Sequence, residues 1–163
     1  INNEIPYTFL KPSFFMQNLS TTYQQEIKEN NEIFVPVGNE KINFIDIRDI
    51  AEIASLVLTE QEHKNRTYEL TGSKFLSYYE IADILTDKLN RKIRYKDPLI
   101  IIFFFRKRKE GINIGKILVM IGLYTIAKFG KADKTTDEIQ NLLGREPISF
   151  TEFVNDYREC WSK

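Results

Sequence analysis

Two tyrosine–lysine pairs at a spacing of four, Tyr7/Lys11 and Tyr124/Lys128, are the first residues in this chain that could move a proton. On a helix that spacing lets an ammonium group stabilise a phenolate beside a substrate oxygen. The motif is short, and about 0.7 matches arise by chance in a chain with this many Tyr and Lys residues. Tyr7 and Lys11 stand on an expected strand, where four residues span about 13 Å and keep the two groups apart. Tyr124 and Lys128 fit a helix, but no phosphate loop precedes them. Such a loop needs closely spaced glycines between a strand and a helix. Gly38, Gly72, Gly111, Gly115, Gly122, Gly130 and Gly144 form neither G-x-G-x-x-G nor G-x-x-x-x-G-K-S/T. His63 is the only histidine and Cys160 the only cysteine. A Ser-His-Asp triad would have one base to draw on, and neither a disulfide framework nor a cysteine-rich zinc site is available, so no metal site is expected.

A second group of interest follows Pro12. Phe14-Phe15-Met16 is an aromatic and thioether cluster, a composition that most often means core. Its place, after a strand and before a helix, is where α/β proteins bind ligands. Gln17 and Asn18 beside it could orient one. Asp46, Arg48 and Asp49 alternate in charge, and a helix cap with a salt bridge is the favoured reading of that cluster.

The elements that must position these residues can be read from the pattern. Tyr7–Leu10 is an apolar run that favours a strand, stopped at Lys11-Pro12. Ser13 opens a helix to about Lys28, with Phe15, Leu19, Tyr23 and Ile27 on one stripe and Asn30-Asn31 at its end. Ile33–Val37 and Ile42–Ile45 are extended pieces on either side of Gly38-Asn39. Asp46 or Asp49 caps a helix that buries Ile50, Ile53, Ala54, Val57 and Leu58. Thr67–Thr71 is a strand, and Ser77 with Glu80 is a capping box for a helix burying Ile81, Ile84 and Leu85. Ile93–Tyr95 is a short strand, and from Asp97 the pattern is helical. Further capping boxes are expected at Thr135/Glu138 and Ser149/Glu152, with a C-cap at Gly144. Alternating elements followed by helices make this an α/β chain with a helical tail.

With 163 residues, 42% of them apolar and 28% charged, the chain suits one compact domain and excludes wholesale disorder. Its zero formal charge conceals a division: residues 1–90 carry a net −6 and residues 91–163 a net +6. The excess is concentrated in residues 91–134, with 12 basic and 3 acidic groups. This region holds Leu99–Phe105, then Arg106–Lys109, then the apolar stretch Ile112–Phe129 interrupted by Lys116 and Lys128. Seven apolar residues are far short of the ~20 that a membrane span needs. A basic amphipathic surface for anionic lipid or nucleic acid is one reading. A pair of packed helices is the favoured one, because the apolar positions also suit a core. The chain starts at Ile1 without Met and without the pattern of a signal peptide, which favours a processed product or a piece of a longer polypeptide, placed in the cytoplasm.

Tyr7–Asn18 resembles the segment after the sixth strand in NmrA-like proteins, the atypical group of short-chain dehydrogenases/reductases. Ile42–Ala51 is similar to that family's Phe-Val-Asp-Val-Arg-Asp-Ile-Ala. The similarity continues through Tyr68–Gly72, Leu76–Ala82, Leu143–Pro147 and Phe150–Phe153. It covers nearly the whole chain in order, but only the family's second half. The resemblance implies an α/β fold: the C-terminal part of an extended Rossmann-type fold, with few short strands and a largely helical substrate-binding domain. It implies that residues 1–163 are this substrate-binding region and that the glycine-rich dinucleotide-binding half precedes it. By the same resemblance Pro12, Ser13, Phe14 and Phe15 line the nicotinamide end of NAD(P), and Gln17 and Asn18 face substrate; catalytic residues are not assigned.

The function so implied is half of an NAD(P)-dependent oxidoreductase or nucleotide-sugar-epimerase-like protein that, when intact, reduces a small carbonyl or quinone-like molecule. A non-catalytic NAD(P) sensor is the alternative, and an interaction or membrane-surface module using residues 91–134 is a second. NAD(P) is expected for the intact protein, with no tight binding by this chain alone. A bare edge on the strand at Tyr7–Leu10 leads us to expect self-association, or cover from Ile1–Pro6. Nucleic acid is not a favoured partner.

Overall fold

The computed structural model describes residues 5–129 and 135–162. In chain order the elements are β1 (Thr8–Pro12), β2 (Phe14–Phe15), β3 (Glu32–Phe34), β4 (Ile42–Ile45), α1 (Ile47–Thr59), β5 (Arg66–Leu70), β6 (Phe75–Leu76), α2 (Tyr78–Leu89), β7 (Arg94–Lys96), α3 (Ile100–Lys109), α4 (Ile114–Phe129), α5 (Glu138–Leu143) and α6 (Phe150–Asp156). Strands group as β1-β5, β2-β4-β6 and β3-β7. Pairing is parallel for β1 with β5, β2 with β4 and β3 with β7. This is the α/β architecture expected, with few short strands and mostly helix after Asp97.

The chain divides into two compact units, each built from three separate stretches. The first takes residues 1–17, 43–75 and 134–153. Its core is Ile45, Ile53, Leu70 and Ile139, with Leu10, Ile50, Val57 and Leu142 packed around them. β1 lies against β5 in register from Thr8↔Arg66 to Pro12↔Leu70. The ladder therefore does not stop before Pro12, as the sequence suggested. Pro12 has no N–H to give, and the Ser13 N–H donates to the Leu70 carbonyl at 2.9 Å in the next position. Asp46 caps α1, its side chain accepting from the Arg48 N–H at 2.9 Å. Leu58, expected on the buried face of α1, is exposed, because α1 buries the Ile50/Ile53/Val57 side instead. The far end of this unit is fixed by charge: Arg145 donates to Asp49 at 2.7 Å and also pairs with Glu52.

The continuous helix expected from Ser13 to Lys28 is absent. Phe14-Phe15 pairs with Phe44-Ile45 as strand, then Met16–Asn18 makes one 3-10 turn, and only Glu26–Asn30 returns to a wide helical turn. Strand pairing with a distant segment outweighs the four-residue spacing, which had no way to register it. Leu19, Tyr23 and Ile27 are buried as expected, whereas Phe15 is exposed. The extended pieces around Gly38-Asn39 also exist, but β3 and β4 do not pair with each other.

The second unit takes residues 18–42, 76–133 and 154–163. The Ser77/Glu80 capping box opens α2: the Ser77 N–H donates to Glu80 Oε2 at 2.7 Å and the Glu80 N–H to Ser77 Oγ at 3.3 Å. In the first unit, the box expected at Thr135/Glu138 is replaced by Asp137, which precedes α5 without a side-chain cap. Gly144 does end α5 in the left-handed region, with φ 67°. At the centre of the second unit Phe103 stacks with Phe34 at 6.2 Å and meets Tyr124 edge-on at 5.9 Å. Below it Lys107 is fully buried, paired with Glu26 and, at 2.9 Å, with Glu110. Burial pushes the Glu26 carboxyl above its usual range while Lys107 pulls it back.

Two predictions follow from these ion pairs. Removing the ammonium in Lys107→Met leaves Glu26 buried without its main partner, and should cost about 3 kcal/mol in urea unfolding. The double variant with Glu26→Leu should recover most of that loss, and strict additivity of the two losses would disprove the coupling. The second concerns Glu80, which the Lys41 ammonium at 2.8 Å, followed by the Ser77 N–H, pulls down to about 2 from 4.5. A lowered carboxyl contributes stability that is complete above its unfolded value and disappears as pH falls toward the folded one. The difference in urea midpoint between wild type and Glu80→Gln should therefore be constant above about pH 4.5 and vanish toward pH 2. A difference that persists at that end would contradict it.

Candidate functional site

Parallel strands point their C-terminal ends the same way, and in the first unit those ends bring the residues after Pro12 beside Asn43 and Gly72. Asn43 is a polar residue inside the buried run Ile42-Asn43-Phe44-Ile45. Its Oδ1 accepts from Ser13 Oγ at 2.8 Å and from the Gly72 N–H at 2.6 Å, and its Nδ2 donates to the Gly72 carbonyl at 2.9 Å. One side-chain amide thus ties the exits of β1 and β5 to the middle of β4. Gly72 is forced by contact rather than by dihedral angle: a Cβ there would stand 1.8 Å from the Phe44 carbonyl oxygen. Gly72 directly follows the strand expected at Thr67–Thr71, and the reason it must be glycine, an approach of backbone to backbone, leaves no local signature. Asn43 was visible only as a polar residue out of place in an apolar strand.

Pro12 and Ser13 are half-buried at this junction. Phe14 is half-buried, its ring edge-on to Phe44 at 6.2 Å, and Phe44 in turn meets Phe150 at 6.2 Å. Phe15, 39% exposed, is presented outward from β2. Gln17 is buried, and its amide is engaged: Nε2 donates to Asp46 Oδ1 at 2.8 Å, and Oε1 accepts the Ile47 N–H at 3.0 Å. Asn18 belongs to the second unit, half-buried, with its carbonyl accepting the Tyr23 N–H at 3.0 Å. The structure thus gathers Pro12 to Phe15 at one place, sets Gln17 against the start of α1, and leaves Asn18 with the following turn.

The Asp46, Arg48 and Asp49 cluster works as cap and ion pairs. Burial acts to raise the Asp46 carboxyl, but hydrogen bonds from Arg48 and Gln17 together hold it below the ordinary range. At Asp49 burial prevails and the carboxyl stands above its ordinary value despite Arg145. Neither tyrosine–lysine pair is assembled for proton transfer. Tyr7, just before β1, and Lys11 within it are both exposed. The Tyr124 hydroxyl is buried against that of Tyr23, and burial moves it up, away from ready ionisation. Lys128 instead extends over Gly38. Among the described residues Glu60, Glu62 and His63 come together. The His63 ring spends Nδ1 on the Tyr68 hydroxyl at 2.7 Å and Nε2 on Glu60 at 3.2 Å.

Beside β1 lies a groove of about 380 Å³, lined by Tyr7, Thr8, Leu10, Ala54, Val57 and Leu58 among others. Among the described residues β1 pairs on one side only, with β5. The expected cover from Ile1–Pro6 falls partly outside the described residues, and Ile5 and Pro6 are exposed. No helix among the described residues is long and apolar enough to cross a membrane.

Comparison with known proteins identifies the fold and the family. An NAD(P)H azoreductase of Xenophilus azovorans is 35% identical over 150 residues, which are 91% of this chain and 51% of that protein. An agroclavine dehydrogenase of Claviceps fusiformis is 31% identical over 160 residues, covering 96% of this chain and 55% of the relative. Among solved structures, the triphenylmethane reductase of Citrobacter sp. in complex with NADP(H) superposes with a TM-score of 0.82 at 25% identity, over 94% of this chain and 54% of that one. The chain therefore spans about half the length of the relatives it matches, and its fold is that of Rossmann-type reductases. The NmrA-like family model matches residues 1–152. The chain belongs to the NmrA-like family.

Proposed function

We propose that residues 1–163 are the C-terminal, substrate-binding region of an NAD(P)-dependent oxidoreductase that reduces a small carbonyl or quinone-like molecule. The observation that carries this reading is the Asn43-anchored junction, which holds Ser13, Phe14 and Phe15 at the C-terminal ends of parallel strands. Such ends are where open α/β sheets take their ligands. The oxidoreductase relatives, an azoreductase and a dehydrogenase, support the reaction class.

The residues present suit one end of a dinucleotide and not the other. Phe15 offers an exposed ring, an apolar face of the kind a nicotinamide rests on, while Phe14 is half-buried and packs edge-on to Phe44. Pro12 and Ser13 set the backbone that would approach it. The pyrophosphate has no loop in this chain, so the dinucleotide's other end needs the glycine-rich half that family members place before this region. When bound, NAD(P)H would supply the hydride. What the chain itself supplies is position: Gln17 locks Asp46 and the first turn of α1, and Asn43 prevents the β1 and β5 exits from separating. Asn18 would face substrate. The one-sided β1 and the groove beside it would receive the remaining strands and their covering helix.

Calorimetry and turnover test this reading on two polypeptides. This chain alone should show no submicromolar affinity for NADPH, and a Kd below that level would overturn the division of labour. The gene product that includes the upstream coding sequence should oxidise NADPH in the presence of a quinone or azo dye. Binding without turnover there would make the protein a sensor instead. In the active form Phe15→Ala should raise the KM for NADPH about five- to tenfold, the loss expected from one aromatic contact. An unchanged KM would remove Phe15 from the cofactor's surface.

A further inference from the structure

The α3–α4 pair does not bury the apolar residues that its sequence offers. In α4, Ile117, Met120 and Tyr124 face inward, while Ile114, Leu118, Val119, Leu123, Ile126 and Phe129 are each at least 48% exposed. At about 100° per residue these six, with Gly115 and Gly122 between them, cover an arc of about 180° without a charged side chain. Lys116 stands just beyond one border of that arc and Lys128 just beyond the other. In α3 the same occurs: Phe103 is buried, whereas Ile101 and Phe105 are 58% and 63% exposed. α3 and α4 do form the packed pair expected, through Phe103 and Tyr124, but most of the apolar positions that suit a core are exposed.

Charge identifies what could cover such a face. Residues 99–129 hold six basic side chains and one acidic one, Glu110. Lys107 and Arg106 are used internally, paired with Glu26, Glu32 and Glu110. Arg108, Lys109, Lys116 and Lys128 remain exposed, and the one exposed acid of residues 99–129, Glu110, is already paired with Arg106 and Lys107, so the surface of this stretch is net positive. A second copy of the chain would bring those cations against one another. Nucleic acid would satisfy the cations but offers no apolar phase for six large side chains. An anionic bilayer surface supplies both, with phosphate and carboxylate headgroups above and acyl chains below. The helices are also the right length for lying in that interface: 16 residues extend about 24 Å, short of the ~30 Å hydrocarbon core.

We propose that the exposed face of α3 and α4 is a docking surface for anionic membranes, with the Ile114–Phe129 arc inserted among the headgroups and Lys116 and Lys128 at its borders. It stands independently of the oxidoreductase reading, since it uses none of the residues at the Asn43 junction.

Flotation of the 163-residue chain with vesicles tests it. The chain should float with phosphatidylcholine vesicles containing phosphatidylserine and remain behind with phosphatidylcholine alone. Raising the salt should weaken binding. Ile126→Glu, at a position already 67% exposed, should abolish flotation while leaving the circular dichroism spectrum and urea midpoint unchanged. Lys116→Ala should lower the apparent affinity about fivefold. Absence of flotation with either vesicle, or flotation indifferent to Ile126→Glu, would overturn the proposal. So would a dimer, detected by light scattering, that Ile126→Glu dissociates and that binds no vesicles.

Discussion

The junction after β1 depends on one buried amide. Asn43 lies in a strand where its neighbours are all apolar, and a buried amide left without partners would cost about as much as burial of one of them contributes. Its partners are the Ser13 hydroxyl and both backbone groups of Gly72, so the requirement to satisfy Asn43 fixes where two other strands may end. The rest of the first unit follows. With β5 held there, Leu70 enters the core beside Ile45 and Ile53, and Ser13 can supply the hydrogen bond that Pro12 cannot. Phe14 and Phe15 then pair with Phe44 and Ile45, and an aromatic surface is placed at the strand ends.

Much of this was legible in the residues, for identifiable reasons. Caps are legible where the signal is local: Asp46, one of the two candidates before α1, Ser77 with Glu80 before α2, and Gly144 after α5, although Thr135/Glu138 carries the same signal and forms no box. Strands were read where β-branched and aromatic residues cluster, as in β1 and β5. The stretch from Ser13 to Lys28 defeated the same logic, because Phe14 and Phe15 pair with a strand thirty positions further on. A spacing of four describes Leu19, Tyr23 and Ile27 equally well on an irregular turn. For the candidate site, Pro12 to Phe15 came from resemblance to the family. Asn43 and Gly72, which hold them, owe their roles to partners distant in sequence.

The second unit shows how differently polar groups can be used. Lys107 is buried, and its ion pair with Glu26 secures α3 against the segment before β3. Arg106 lies over the Phe34 ring at 4.1 Å. Two of the four consecutive cations in Arg106–Lys109 are thus spent on internal structure, which a net charge count over residues 91–134 cannot distinguish from a solvated patch. That division is what makes the outer face of α3 and α4 unusual: inward charges are matched and outward ones are not, beside side chains that water does not favour.

Each unit is assembled from three stretches, and the chain passes between them at Gln17/Asn18, Ile42/Asn43, Phe75/Leu76 and Phe153/Val154, as well as near residue 133. This has a consequence for biosynthesis. The first core waits for Ile139, and its ion pairs wait for Arg145. The second waits for Trp161, whose indole donates to the Leu19 carbonyl at 3.0 Å across most of the chain's length. Neither core can close before the last of its three stretches has left the ribosome. Such a topology makes each core wait on contacts distant in sequence, which slows folding and prolongs the exposure of apolar surface.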